Sequence, residues 1–352
     1  MRVGILKPDH LGDFVLAAPA VAALLRRFPD ALLFCHPATA PLARHLFPGL
    51  RLQTILLPHL DRDRNTDPDA LPVESLRDSV DLLVCLRWDR HIARLVEASG
   101  LDYRGSGLDV LDLHVAAEQR AVVAPLTGPY DLLDSYRYPG APPEHRPTKP
   151  AAVGLCISAG FPLNTWPLNH WLDLAGRLHR RGMEVVLIGG PAEAARLHAL
   201  AGAAGEALGY RPRRIVGGPD FGAFLDALAG VDLVLATDSG TAHLASLVRP
   251  VLSLFGGSPW RRFAPLGRHN AVVTRDYPCS PCRQFDRTTV NGCVGRECLT
   301  NLFPAQVGAA LDAYLAGEGK VEGARLARAP WDDPGNERYL RRIAAGAGAV
   351  TR

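Results

Sequence analysis

Lysine is almost missing from this chain: of its 39 basic residues, three are lysines, Lys7, Lys149 and Lys320. Cationic contacts to a phosphate therefore fall mainly to arginine, whose planar fork grips anions at two points. Long apolar runs are missing too. The longest, Phe14 to Leu25, has twelve residues and is interrupted by Pro19, whereas a spanning helix needs ~20. Neither sign of charge dominates, since 39 basic and 36 acidic residues leave +3, and no basic block is interleaved with aromatics. Nucleic acid is not an expected partner. The opening Met-Arg-Val-Gly-Ile-Leu-Lys7 reads as a strand and lacks the charged-then-apolar pattern of a secretory leader. The expectation is a cytoplasmic protein with no transmembrane segment, contact with a membrane surface being left open.

Cysteine is sparse and unevenly placed. Cys35, Cys85 and Cys156 sit in apolar, strand-like runs as small core residues. Cys279, Cys282, Cys293 and Cys298 form C-x2-C-x10-C-x4-C. Four thiolates at loop spacing suit a structural zinc, and a reduced, metal-free loop is the competing reading.

What is present describes a globular α/β chain. Hydrophobic residues make up 47% and charged residues 21% of 352, enough for two domains of ~100–200 residues each. Strand-like and helix-like periodicities alternate. In the first half, strands are expected at 3–6, 31–35, 52–57 and 81–86, and helices at 12–28, 41–46 and 91–98. The aspartate-rich stretch 61–72 reads as a loop. Pro139, Pro142, Pro143, Pro147 and Pro150 then break the rhythm and mark a linker. Beyond it, strands are expected at 152–157, 184–188, near 215, at 232–236 and at 251–255, with helices at 170–181, 192–207, 221–229 and 242–248. The implied division is a domain over 1–140, a linker over 141–151, a second domain over 152–320 and a tail over 321–352. In that tail 331–343 reads as a closing helix and 344–352 as frayed.

Parallel sheets bind ligands beyond the carboxyl ends of their strands, so strand-end residues carry most weight. The first strand ends in Lys7-Pro-Asp-His-Leu-Gly-Asp13, which has no GxGxxG fingerprint. Asp13 is either a first-turn acid matched to the helix dipole or a carboxylate able to accept a proton. The strand opening the second half leads into Ser158-Ala-Gly-Phe-Pro-Leu-Asn-Thr-Trp-Pro167, whose small residues suit a phosphate. Gly189-Gly-Pro-Ala-Glu193 follows the next strand; Glu193 is a dipole-compatible surface acid or a ligand for ribose hydroxyls. Asp238-Ser-Gly-Thr-Ala-His243 joins a buried strand to a helix that Ser239 or Thr241 can cap, and Gly240 lets an anion approach the backbone. Phe255-Gly-Gly-Ser-Pro259 ends a further strand. The stretch 112–120 places His114, Glu118 and Arg120 on a helix whose default reading is a solvated face.

Taken in order, Leu11-Gly-Asp13, Asn164-Thr-Trp-Pro167, Gly189-Gly190 with Glu193, Asp238 to His243 and Phe255-Gly256 with Pro259 resemble the heptosyltransferase-like glycosyltransferases of family 9, over roughly residues 1–315. The resemblance implies a GT-B fold, two Rossmann-like doubly wound domains facing a central cleft, a closing tail helix that packs back on the first domain, and inverting transfer of a sugar, a heptose from ADP-heptose, to a hydroxyl or amine with no catalytic metal. By it Asp13 is the general base. Lys7, His10, Gly12, His114 and Arg120 lie on the acceptor side. Ser158, Asn164, Glu193, Asp238, Ser239, Gly240, Thr241 and His243 bind the donor, Asp238 at the sugar hydroxyls and the turn after it at the diphosphate. One residue departs from the family pattern. Where the family usually carries lysine two residues before Trp-Pro, this chain has Asn164, and Arg261 or Arg262 is the candidate substitute cation. The partners implied are a nucleotide-diphosphate sugar and an acceptor, either lipopolysaccharide core or a small molecule. A nucleotide-sugar epimerase and a non-catalytic sugar-nucleotide binding protein are the alternative readings.

Overall fold

The computed structural model describes residues 1–60, 71–107, 110–134, 136–138, 140–157, 159–282, 293, 295–328, 331–345 and 349–351. Most of the expected loop at 61–72, and Ser158, lie outside them. The chain forms two compact units, Met1–Tyr136 with Trp331–Arg352, and Arg137–Pro330.

In the first unit β1 (Val3–Lys7), β2 (Leu32–Cys35), β3 (Arg51–Thr54), β4 (Leu82–Cys85) and β5 (Asp102–Ser106) alternate with α1 (Leu11–Arg27), α2 (Ala40–Leu46), α3 (Val73–Arg77), α4 (Arg90–Ser99) and α5 (Val115–Thr127). β1 is buried at every residue, as expected of a central parallel strand covered on both faces. β1 pairs in parallel with both β2 and β4. The order β5-β4-β1-β2-β3 therefore reverses its winding between β1 and β4, the switch point at which such sheets open a crevice. α1 carries Asp13 in its first turn and Arg26 and Arg27 in its last, each matched to the helix dipole.

In the second unit β6 (Ala152–Cys156), β7 (Glu184–Gly189), β8 (Arg213–Val216), β9 (Leu233–Thr237), β10 (Val251–Phe255) and β11 (Ala271–Thr274) form a parallel sheet. The helices α6 (Leu168–Arg180), α7 (Ala194–Leu208), α8 (Phe221–Leu228), α9 (Gly240–Ser246), α10 (Trp260–Phe263), α11 (Glu297–Thr300) and α12 (Pro304–Ala316) complete it, with β12 (Lys320–Val321) and β13 (Ala324–Arg328) on the edge beyond β11. The order β11-β10-β9-β6-β7-β8 is that of a full dinucleotide-binding sheet, with its switch between β6 and β9. Trp166 and Trp171 meet edge to face at 4.8 Å in its core.

Several segments differ from expectation, among them β5, β11, α12 and β13, which form where no strand or helix was expected. The proline-rich stretch belongs to the second unit: Tyr138 donates its N–H to the Leu247 carbonyl (3.1 Å), and the Glu144 carboxylate accepts from the His269 N–H (3.3 Å). The tail is ordered further than a frayed end. α13 (Glu337–Ala344) packs on α5, and β14 (Ala349–Thr351) pairs antiparallel with β5 over Arg104 to Ser106. An open strand edge offers unpaired backbone groups that hold such a segment, an attraction absent from side-chain periodicity.

Candidate active site

Each unit gathers polar side chains at its switch point. In the second unit the strand ends of β6 and β9 bring Asn164 to Asp238. Asn164 closes a short 3-10 turn, Pro162–Asn164, and the Asn164 amide nitrogen donates to the Asp238 carboxylate (Oδ2, 3.0 Å) and to the Asp238 carbonyl (3.2 Å). Two residues on, Trp166 is fully buried and its indole N–H donates to the Leu302 carbonyl at 2.9 Å. This anchor fixes where the Asn164 turn sits. Ser258, fully buried after β10, donates its hydroxyl to the same Asp238 oxygen at 2.5 Å. The His243 ring lies 3.9 Å from the other oxygen. Asp238 is thus held from three elements.

Ser239 caps α9, as its place before the helix predicts: its side chain accepts the Ala242 N–H at 3.2 Å. First-turn N–H groups have no acceptor within their own helix, so the backbone at Gly240 and Thr241 has the character required to meet an oxyanion. Glu193 folds back to accept the Gly190 N–H at 2.8 Å; one carboxylate oxygen is spent on capping, which is the bland reading of that residue. The Arg261 guanidinium lies over the Trp260 ring at 4.7 Å and that of Arg262 over Phe263 at 5.7 Å. In neither case is the cation shown beside Asn164.

In the first unit the strand ends of β1 and β4 assemble an ion cluster. Lys7 and Asp9 are each 2% exposed and pair at 2.9 Å. Arg87, just past β4, donates to the second Asp9 oxygen and to Asp89 (2.7 Å), and His59 reaches Asp89 at 3.1 Å. Burial opposes ionisation of Asp9, but the charges of Lys7 and Arg87 outweigh it and hold its pKa below the ordinary value. Asp89 is likewise lowered: burial works against it, and His59 and Arg87 prevail. His59 and His91 stack at 4.1 Å with 11° between their planes, and burial followed by the His59 charge lowers the His91 pKa. The cluster pins the Pro8–Leu11 turn that delivers Asp13 to the start of α1.

Lys7 is accordingly a buried member of an ion cluster. His10 precedes α1 without a side-chain cap and meets the His36 ring edge on at 5.4 Å. The solvated face expected at 112–120 is corrected. His114 is the cap before α5, fully buried and accepting the Ala116 N–H at 3.3 Å, and Glu118 is 6% exposed. The helix starts at the residue after His114, and α5 packs on α1 and α13, so the stretch is covered. Arg120 lies a further turn and a half along α5, on a different face from His114. Sequence reasoning passed over Asp9, Arg87 and Ser258 as site residues. All three sit just beyond strand ends, the same positional signal that selected Asp13 and Asp238.

The cysteine-rich segment follows β11 and packs against two tight glycines just past β10. A Cβ on Gly256 would fall 2.8 Å from the Leu299 Cβ and 3.2 Å from the Cys298 sulfur, and one on Gly257 3.2 Å from the Cys282 Cβ. Burial, then the neighbouring Cys279, Cys293 and Cys282, push the Cys298 thiol up to about 11. Among the described residues no three His, Cys, Asp or Glu side chains converge closely enough to hold a metal ion. Of the segment that joins Cys282 to Cys298, residues 283–292 and 294 lie outside the described residues.

The chain is similar to known proteins in sequence and in fold. The profile of glycosyltransferase family 9 (heptosyltransferase) matches residues 116–293, just over half of the chain. Lipopolysaccharide heptosyltransferase 1 of Pseudomonas aeruginosa is 34% identical over 164 residues, 43% of this chain and 44% of that protein; the match spans less than half the length of that relative. Among solved structures, the glycosyl transferase family 9 protein of Veillonella parvula superposes with a TM-score of 0.66 at 16% identity, covering 90% of this chain and 98% of that one. The E. coli ADP-heptose lps heptosyltransferase II gives 0.62 at 19%, covering 90% and 99%. These two likenesses are of fold: two Rossmann-like α/β units of the GT-B kind. The profile match over more than half of its length places the chain in glycosyltransferase family 9.

Proposed function

We propose that the protein is an inverting glycosyltransferase that moves a heptose from ADP-heptose to an acceptor hydroxyl, its second unit binding the donor and its first activating the acceptor. The observation that carries this reading is the Asp238 carboxylate, held by Asn164 and Ser258 at the β6/β9 switch point with the His243 ring 3.9 Å away. A carboxylate so fixed suits sugar hydroxyls, and the adjoining backbone turn at Ser239, Gly240 and Thr241 suits a diphosphate. Glu193 is the ribose ligand in this reading, and Ser158 is counted with the donor-side residues.

Asp13 takes the proton of the acceptor hydroxyl as its oxygen attacks the anomeric carbon. The bond from that carbon to the diphosphate oxygen breaks on the opposite side, the electron pair leaving with ADP. Configuration inverts. Charge on the leaving group is met by backbone dipoles, so turnover is expected to persist in EDTA. His10, Gly12 and Arg120 are the acceptor-side residues in this reading, while Lys7, Asp9 and Arg87 position the Asp13 turn. Lipopolysaccharide inner core is the acceptor that the family points to.

A thermal-shift panel of nucleoside diphosphates tests the donor assignment, because a ligand that binds the folded state alone raises its stability with occupancy. ADP and ADP-heptose are expected to raise Tm well above the uridine, guanosine and thymidine diphosphates. A panel in which no diphosphate shifts Tm would sink the assignment.

A further inference from the structure

Asn164 stands where the family usually carries lysine, and its hydrogen bonds restrict what it can offer a ligand. A side-chain amide has two N–H donors and one acceptor oxygen. The Asn164 nitrogen faces two acceptors, the Asp238 carbonyl at 3.2 Å and the Asp238 carboxylate at 3.0 Å. Turning the amide over would set its oxygen against both, so chemistry fixes the orientation. Both donors are committed to Asp238. Among the described residues, the remaining atom, Asn164 Oδ1, has no hydrogen-bond partner, although the residue is only 5% exposed. Buried acceptors are rarely left so, and a ligand group that supplies the missing donor recovers the loss.

We infer that Asn164 Oδ1 accepts a hydrogen bond from a hydroxyl of the donor sugar. The inference rests on the donor-site reading above. A diphosphate is made of acceptors and carries negative charge, so an amide oxygen repels it, whereas a lysine ammonium attracts it. A hydroxyl has the proton the amide oxygen needs. Asn164 and Asp238 form one acceptor-rich rim suited to a polyhydroxyl ring. The site gives up phosphate affinity and gains selectivity for the sugar, since a site built to bond a hydroxyl discriminates strongly against ligands lacking it.

Isothermal titration with ADP and with ADP-heptose tests this on the full chain. Asn164→Ala is expected to weaken ADP-heptose about tenfold and ADP less than about twofold. Asn164→Lys, which keeps a polar side chain should the alanine variant fold poorly, is expected to bind ADP more tightly and to lose the preference for ADP-heptose over ADP. Ser258→Ala, which loosens Asp238 without touching Oδ1, separates indirect effects through Asp238 and is expected to cost ADP-heptose less than Asn164→Ala does. Wild-type protein that binds neither ligand overturns the donor-site reading itself. Wild-type protein that binds both, while Asn164→Ala weakens the two equally or neither, overturns the role of Asn164 alone.

Discussion

At the scale of single residues, the buried ion cluster gives the sharpest prediction. Asp9 is shared by Lys7 and Arg87, with Asp9 and Lys7 almost wholly buried. Asp9→Asn keeps the shape and removes the charge, leaving a buried ammonium unpaired; loss of one partner of a buried pair costs about 3–5 kcal/mol. The folded pKa of Asp9 lies below its unfolded value. Its stabilisation is therefore complete above the unfolded carboxylate range, ~4, and fades as pH falls through the folded pKa. Urea unfolding is expected to show a large deficit for Asp9→Asn at pH 7 that narrows below pH 4; a deficit constant with pH would mean that the charge is not what holds the turn. Asp13, Asp238 and Asn164 were legible in the chain because each follows a strand and belongs to an ordered set. Asp9, Arg87 and Ser258 were not, since their importance lies in partners about 80 or 20 residues away, and spacing along the chain does not reveal such pairs.

At the scale of elements, helices and strands follow closely from periodicity because buried parallel strands and amphipathic helices write distinct patterns. Their ends shift by a few residues where capping decides, as at α9, which starts at Gly240 because Ser239 takes the cap. Tertiary cover is harder to read. The stretch opening α5 has polar side chains, yet His114 serves as a cap and Glu118 is packed away. The Asn164 turn depends on one anchor, Trp166 to Leu302. Trp166→Phe keeps most of the buried area and loses that hydrogen bond. It is expected to cost about 1 kcal/mol of stability and to weaken ADP-heptose binding several-fold more than ADP binding; equal weakening of the two would show that the anchor does not serve the sugar side.

At the scale of the whole molecule, the sequence announces two α/β repeats but not where the chain leaves one for the other. The proline-rich stretch lies with the second unit, through backbone hydrogen bonds that no local pattern encodes, and the closing helix of the tail lies with the first, where the family resemblance puts it. Deleting residues 331–352 uncovers the β5 edge and the α13 face of α5. Calorimetry is expected to show the first unit unfolding at lower temperature with ADP binding retained. Loss of ADP binding instead would make the tail part of the donor site. Among the described residues no helix is long and apolar enough to cross a membrane.

The central claim is that Asp13 deprotonates the acceptor while ADP departs from a separately held donor. It is tested most directly by the turnover of Asp13→Asn with ADP-heptose and a lipopolysaccharide inner-core acceptor, measured as glycosylated product. The account predicts that kcat falls about 10²–10⁴-fold while the Kd for ADP stays within twofold of wild type. Turnover of Asp13→Asn at a rate near that of the wild type would contradict it.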